Sequence, residues 1–120
     1  MIRIPSGLLA AGQPYEPDVR RIYWLEHPIL DPHDPEPKRP AVVVRVTDEP
    51  GSQITFVTRS STEENGQFHP AHPNQGLNKD GWFTRVRTVS AELWTPQVAH
   101  STDLLLDEET FAYVLRDCDP

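Results

Sequence analysis

A chain of 120 residues has room for one small domain with one core, and no second domain is expected within it. Its 37% hydrophobic content and thirteen prolines call for a modest core joined by long irregular connections. The formal charge of −7 excludes a generally basic nucleic-acid binder, yet residues 101–120 hold six acids against one arginine, while residues 1–100 hold twelve acids against ten Lys/Arg, so a local basic site remains possible.

Residues 1–17 contain Pro5, Gly7, Gly12, Pro14 and Pro17, the composition of an extended arm and not of a packed element; residues 18–120 read as the single domain. Gly7-Leu8-Leu9-Ala10-Ala11 is too short for the apolar region of a signal peptide or for a membrane span. With Cys118 as the only cysteine no internal disulfide can form, and a cytoplasmic protein with no membrane partner is expected. The first strand is expected at Arg21–Glu26. Five prolines from His27 to Pro40 inclusive stiffen the loop that follows. Val42 to Val46 reads as a buried strand opened by Pro40. Asp48-Glu49-Pro50-Gly51 then turns the chain into Ile54–Thr58, giving an antiparallel hairpin.

Ser60 to Lys79, rich in Asn, Gly, His and Pro, reads as a long loop. Trp82 to Val89 is expected as a strand with Arg85 and Arg87 opposite Val86, followed by a helical turn at Ser90–Leu93. Asp107 is placed to cap a last helix whose Phe111, Val114 and Leu115 recur at helical spacing. The pattern is mostly β with a C-terminal helix (α+β).

The order Ile22-Tyr23-Trp24-Leu25, a proline-rich loop ending in Arg39-Pro40, a strand ending in Thr58, Gly76-Leu77 and Val86-Arg87-Thr88-Val89 resembles the PemK/MazF family of toxin–antitoxin toxins, from about Asp18 to the C-terminus. The resemblance implies a small, partly open SH3-like barrel acting as a homodimer. It further implies a cognate antitoxin that lays an acidic or apolar tail across the active groove, and cleavage of single-stranded RNA with no metal and no cofactor. That reaction, attack of a ribose 2′-OH on the adjacent phosphate, needs a base, an acid and positive donors at the phosphoryl oxygens.

Arg39 matches the family's arginine before proline, and its planar fork of donors suits phosphate. Thr58 matches the strand-end threonine whose hydroxyl donates to the same phosphate. Where most members carry G-S-E-Q or G-H-E-Q, this chain has Pro32-His33-Asp34-Pro35, so His33 and Asp34 fall on the proton-transfer positions, with Glu36 as a further carboxylate; imidazole is the side chain that titrates near neutral pH. Lys38, Arg59, Ser60, Arg85, Arg87 and Trp82 are candidate RNA contacts, and Ser61 a lesser one. Two departures stand out: the stretch between Gly76-Leu77 and Arg87-Thr88 is about two residues short, and Trp82 and Thr84 stand near positions where some members carry a catalytic Arg and Asp. A non-catalytic binding module for a protein or nucleic acid is therefore the rival reading. His69 and His72 lack a third ligand at metal-binding spacing, and Trp24 reads as core.

Overall fold

The computed structural model describes residues 13–47, 51–62 and 66–117. They form six strands, β1 (Arg21–Glu26), β2 (Lys38–Thr47), β3 (Gln53–Ser60), β4 (Gln67–His69), β5 (Gly81–Ser90) and β6 (Ala99–Leu105), then one helix, α1 (Glu108–Asp117), with 3₁₀ turns at Pro73–Gln75 and Ala91–Leu93. The strands make one antiparallel sheet in the order β4-β5-β3-β2-β1-β6. This is a small, mostly β, curled half-barrel with a C-terminal helix.

The apolar runs expected as strands are buried on both faces, because each face has its own core. Tyr23, Leu25, Ala41, Val43, Ile54 and Phe56 pack with Tyr15, Ile29, Leu30 and Trp94 on one side. Ile22, Val42, Val44, Val57 and Phe83 pack with Leu77, Leu106 and Val114 on the other. Strand alternation sends neighbouring residues to opposite cores, so both parities must be apolar, which is why Val42-Val43-Val44 is unbroken.

Helix α1 starts where Asp107 Oδ2 accepts the Thr110 N–H at 2.9 Å, as expected of a cap. This bond, with the side-chain bond to Thr110, holds the Asp107 carboxyl below its ordinary value. Val114 is fully buried and Phe111 half-buried, but Leu115 is exposed, so the packed stripe is narrower than the spacing suggested. The helix follows β6 at one edge of the sheet and packs against β4 at the other. The 3₁₀ turn after β4 also reaches across: Gln75 Oε1 accepts the Asp103 N–H at 3.1 Å, and the Gln75 carbonyl accepts Trp24 Nε1–H at 3.2 Å.

Three expectations change. The long loop from Ser60 to Lys79 contains β4 and a 3₁₀ turn, because the edge of β5 offers Gly81, Trp82 and Phe83 as pairing partners for His69, Phe68 and Gln67. β6 had no counterpart in the sequence reading. The arm at 1–17 is described only from Gln13, residues 1–12 lying outside the described set together with Asp48-Glu49-Pro50 of the hairpin turn and Cys118. Within it Tyr15 is packed: it is 7% exposed, its N–H bonds the Trp94 carbonyl at 3.0 Å and its hydroxyl the Ala99 carbonyl at 2.7 Å. Burial, reinforced by Tyr23, pushes the Tyr15 phenol well above its ordinary value. Among the described residues no helix is long and apolar enough to cross a membrane.

Candidate phosphate-binding cleft

Antiparallel pairing places Ala41 opposite Thr58, and Thr58 opposite Arg85. The start of β2, the end of β3 and the middle of β5 thus lie side by side, and the loop before β2 folds over them. Between them lies a cleft of about 290 Å³ lined by Asp31, His33, Asp34, Arg39, Thr58, Ser60, Thr84 and Arg85. It brings together Arg39, Thr58, His33 and Asp34, with Ser60 and Arg85 beside them.

The loop is held by short-range bonds that its Asp and Pro residues favour. Asp31 Oδ1 accepts the His33 N–H at 2.8 Å, and Asp34 Oδ1 accepts the Glu36 N–H at 2.9 Å. Asp34 Oδ2 accepts Arg39 Nε–H at 2.6 Å. The Asp34 side chain is only 13% exposed and that of Arg39 23%, so the pair is partly sheltered from water. Burial pushes the Asp34 carboxyl up, but the Arg39 hydrogen bond, the Glu36 N–H and the Arg39 charge outweigh it and hold the carboxyl below its ordinary value. Asp34 is therefore an acceptor only at neutral pH. The pair uses Nε of Arg39, and among the described residues the two Nη groups have no hydrogen-bond partner. The Thr58 hydroxyl reaches the Arg85 carbonyl at 3.4 Å, too long to hold it firmly. Two carboxylates face two guanidiniums in this cleft, so it is close to neutral.

The other candidate RNA contacts lie elsewhere. Arg59 is 4% exposed. Its Nε donates to His69 Nδ1 at 3.0 Å, and Nη2 donates to the carbonyls of His69, Pro70 and Lys79 at 3.1, 3.2 and 2.9 Å. A register shift between Thr58 and Arg59 on β3 accompanies this inward placement. Burial pulls the guanidinium below its ordinary value against the charge of Asp80, and four bonds keep it as a structural clamp on the 69–79 segment. Arg87 Nε donates to the Ile29 carbonyl at 2.7 Å, anchoring the loop from beneath. Trp82 sits edge-on to Phe68, ring centres 5.7 Å apart, away from the cleft. Lys38 lies over the Trp24 ring, 5.5 Å from its centre, and both line a separate hollow. Trp24 is half-buried and not a full core residue.

His69 and His72 stack with ring centres 4.9 Å apart, but His69 Nδ1 is taken by Arg59. Among the described residues no three His, Cys, Asp or Glu side chains converge as metal ligands would. Asp31 and Thr84 were missed as cleft residues. For Asp31 the signal was present in Asp31-Pro32-His33, a turn-forming triplet.

Gly81 is the other half of the Arg59 clamp. A Cβ there would stand 2.6 Å from Arg59 Cζ and 2.8 Å from the Ser60 carbonyl oxygen. Gly81→Ala is expected to cost about 1–3 kcal/mol through this overlap, lowering the melting temperature by roughly 4–12 °C; an unchanged thermal transition would show that the clamp yields freely.

Comparison of the chain with protein-family models, with curated proteins and with solved structures finds no match.

Proposed function

We propose that this chain is a metal-independent endoribonuclease acting on single-stranded RNA, the toxin half of a toxin–antitoxin pair, with the Arg39 cleft as its active site. The observation that carries the reading is the meeting of His33, Asp34, Arg39 and Thr58 around one opening. Asp34 fixes Arg39 through Nε and leaves the Nη donors for phosphoryl oxygens, where charge develops as the 2′-oxygen attacks. The Thr58 hydroxyl adds a neutral donor. The two proton transfers, from the 2′-OH and to the departing 5′-oxygen, fall to His33 and Asp34, which line the same cleft. The bond from phosphorus to the 5′-oxygen breaks as the 2′-oxygen bond forms, leaving a 2′,3′-cyclic phosphate and a 5′-hydroxyl.

The test is incubation of purified protein with long RNA in excess chelator. Fragments ending in a cyclic phosphate, at a restricted set of sequences, are expected. Intact RNA across many sequences would remove the enzymatic claim. Arrest of growth when the chain is expressed without a partner would support the toxin role.

One observation favours the rival reading of a non-catalytic binding module. The short Arg39–Asp34 ion pair cancels the charge that would draw a phosphate in, as expected of a loop built for docking and not for chemistry. RNA bound without cleavage, or a protein partner bound through the His27–Pro40 loop, would be its signature.

A further inference from the structure

Arg39 lines not one opening but two. Across it from the cleft lies a second hollow of about 390 Å³, within the size range of small-molecule sites, lined among others by Trp24, Glu36, Lys38, Ser61, Asn78 and Lys79. Its construction is unlike a gap between packed side chains. Trp24 is fixed by its Nε1 bond to the Gln75 carbonyl, and Gly76 lies beside the indole, where a Cβ would make ordinary contact with Trp24 Cζ2 at 3.6 Å. Gly76 sits at φ +81°, a backbone state that glycine adopts without strain. The residues after this turn add Asn78 and Lys79 to a lining that also holds Lys38.

We propose that this hollow holds the nucleotide adjoining the phosphodiester bound by Arg39, its base against Trp24 and its own phosphate between Lys38 and Lys79. The inference rests on the nuclease reading and extends it to a second residue of the RNA. Three properties point to a nucleotide. An indole offers a face on which any base can stack. Lys38, exposed and resting 5.5 Å from the ring centre, makes a contact weak enough to be exchanged for a phosphate. Asn78, with a donor and an acceptor, and Glu36, an acceptor only, also line the hollow and are the kinds of group that read a base edge. A bound strand would pass over Arg39 with one nucleotide on each side, so the shared arginine sets the phosphate between two subsites.

The test uses a fluorescein-labelled RNA pentanucleotide with 2′-O-methyl groups, which cannot cleave, and follows its anisotropy with wild-type protein, Lys79→Ala, Lys38→Ala and Trp24→Leu. Each lysine substitution should weaken binding about five- to tenfold and lower the salt slope by about 0.7. Trp24→Leu should weaken it tenfold or more, with circular dichroism and thermal melting showing whether the fold survives. Should Trp24→Leu not fold, the two lysine variants on the exposed rim decide alone. If wild-type protein cleaves long RNA while all variants bind the probe like wild type, the subsite is wrong and the nuclease reading stands. If neither cleavage nor probe binding occurs, the nuclease reading itself has failed and takes the subsite with it. If a labelled acidic peptide binds in a Lys38- and Lys79-dependent manner and the RNA probe does not, the hollow belongs to a protein partner and the proposal is overturned.

Discussion

Arg39→Ala is expected to slow RNA cleavage by about 10²–10³-fold, the loss typical of removing one donor to an oxyanion, with circular dichroism unchanged. Arg39→Lys should restore only a small part, since an ammonium cannot bond Asp34 and a phosphate with separate coplanar donors. The partner substitution separates the two readings of the ion pair. Asp34→Asn removes the charge opposing Arg39. If Asp34 orients the guanidinium and receives a proton, cleavage falls. If the pair merely neutralises the cleft, RNA binding tightens with no cleavage to lose. Cleavage unaffected by Arg39→Ala would place the chemistry elsewhere.

The second large effect is on stability in acid. Burial above all, then the positive charge of Arg59 and the neighbouring His72, lower the pKa of His69 to about 4, with Asp107 opposing. Geometry agrees, because His69 is 3% exposed and its Nδ1 must stay unprotonated to accept from Arg59. In the unfolded chain the same imidazole takes up its proton near pH 6.5. Between pH 6.5 and 4 the unfolded state therefore binds more protons than the folded one, so stability is full above pH 6.5 and falls as the solution is acidified through that window. The difference amounts to about 3 kcal/mol by pH 4. Urea unfolding of the wild type and of His69→Asn, which keeps an acceptor but cannot titrate, should show this loss in the wild type alone. Parallel curves would exclude His69 as its source. The lowered carboxyls of Asp34 and Asp107 lose their contribution only as pH drops below the ordinary carboxylate value, and they do so in both proteins.

The bounds of β1 were legible because a proline-rich loop ends its apolar run, and the β2–β3 hairpin because turn residues separate two β-branched segments. β6 was not. Only Ala99 is buried within Ala99–Leu105, so an edge strand defined by backbone pairing carried almost no apolar signal. β4 is three residues long and exists only because β5 supplies a partner. At the site, loop and strand order were enough to bring Arg39 and Thr58 together. Residue type alone could not show which arginines turn inward. Arg59 and Arg85 are both cations within strands, yet the first is buried beside a register shift on β3 and the second lines the cleft.

The placement of α1 reaches beyond its own packing. A curled sheet with β4 and β6 at its margins has two rows of backbone donors and acceptors that no neighbouring strand satisfies, and the helix lies where one margin approaches the other. Were the chain clipped ahead of Glu108, the seam would be left unzipped and the burial of Val114 against Leu77, Phe83 and Leu106 lost. Such a fragment would expose raw strand margins that invite self-templated stacking into insoluble ribbons.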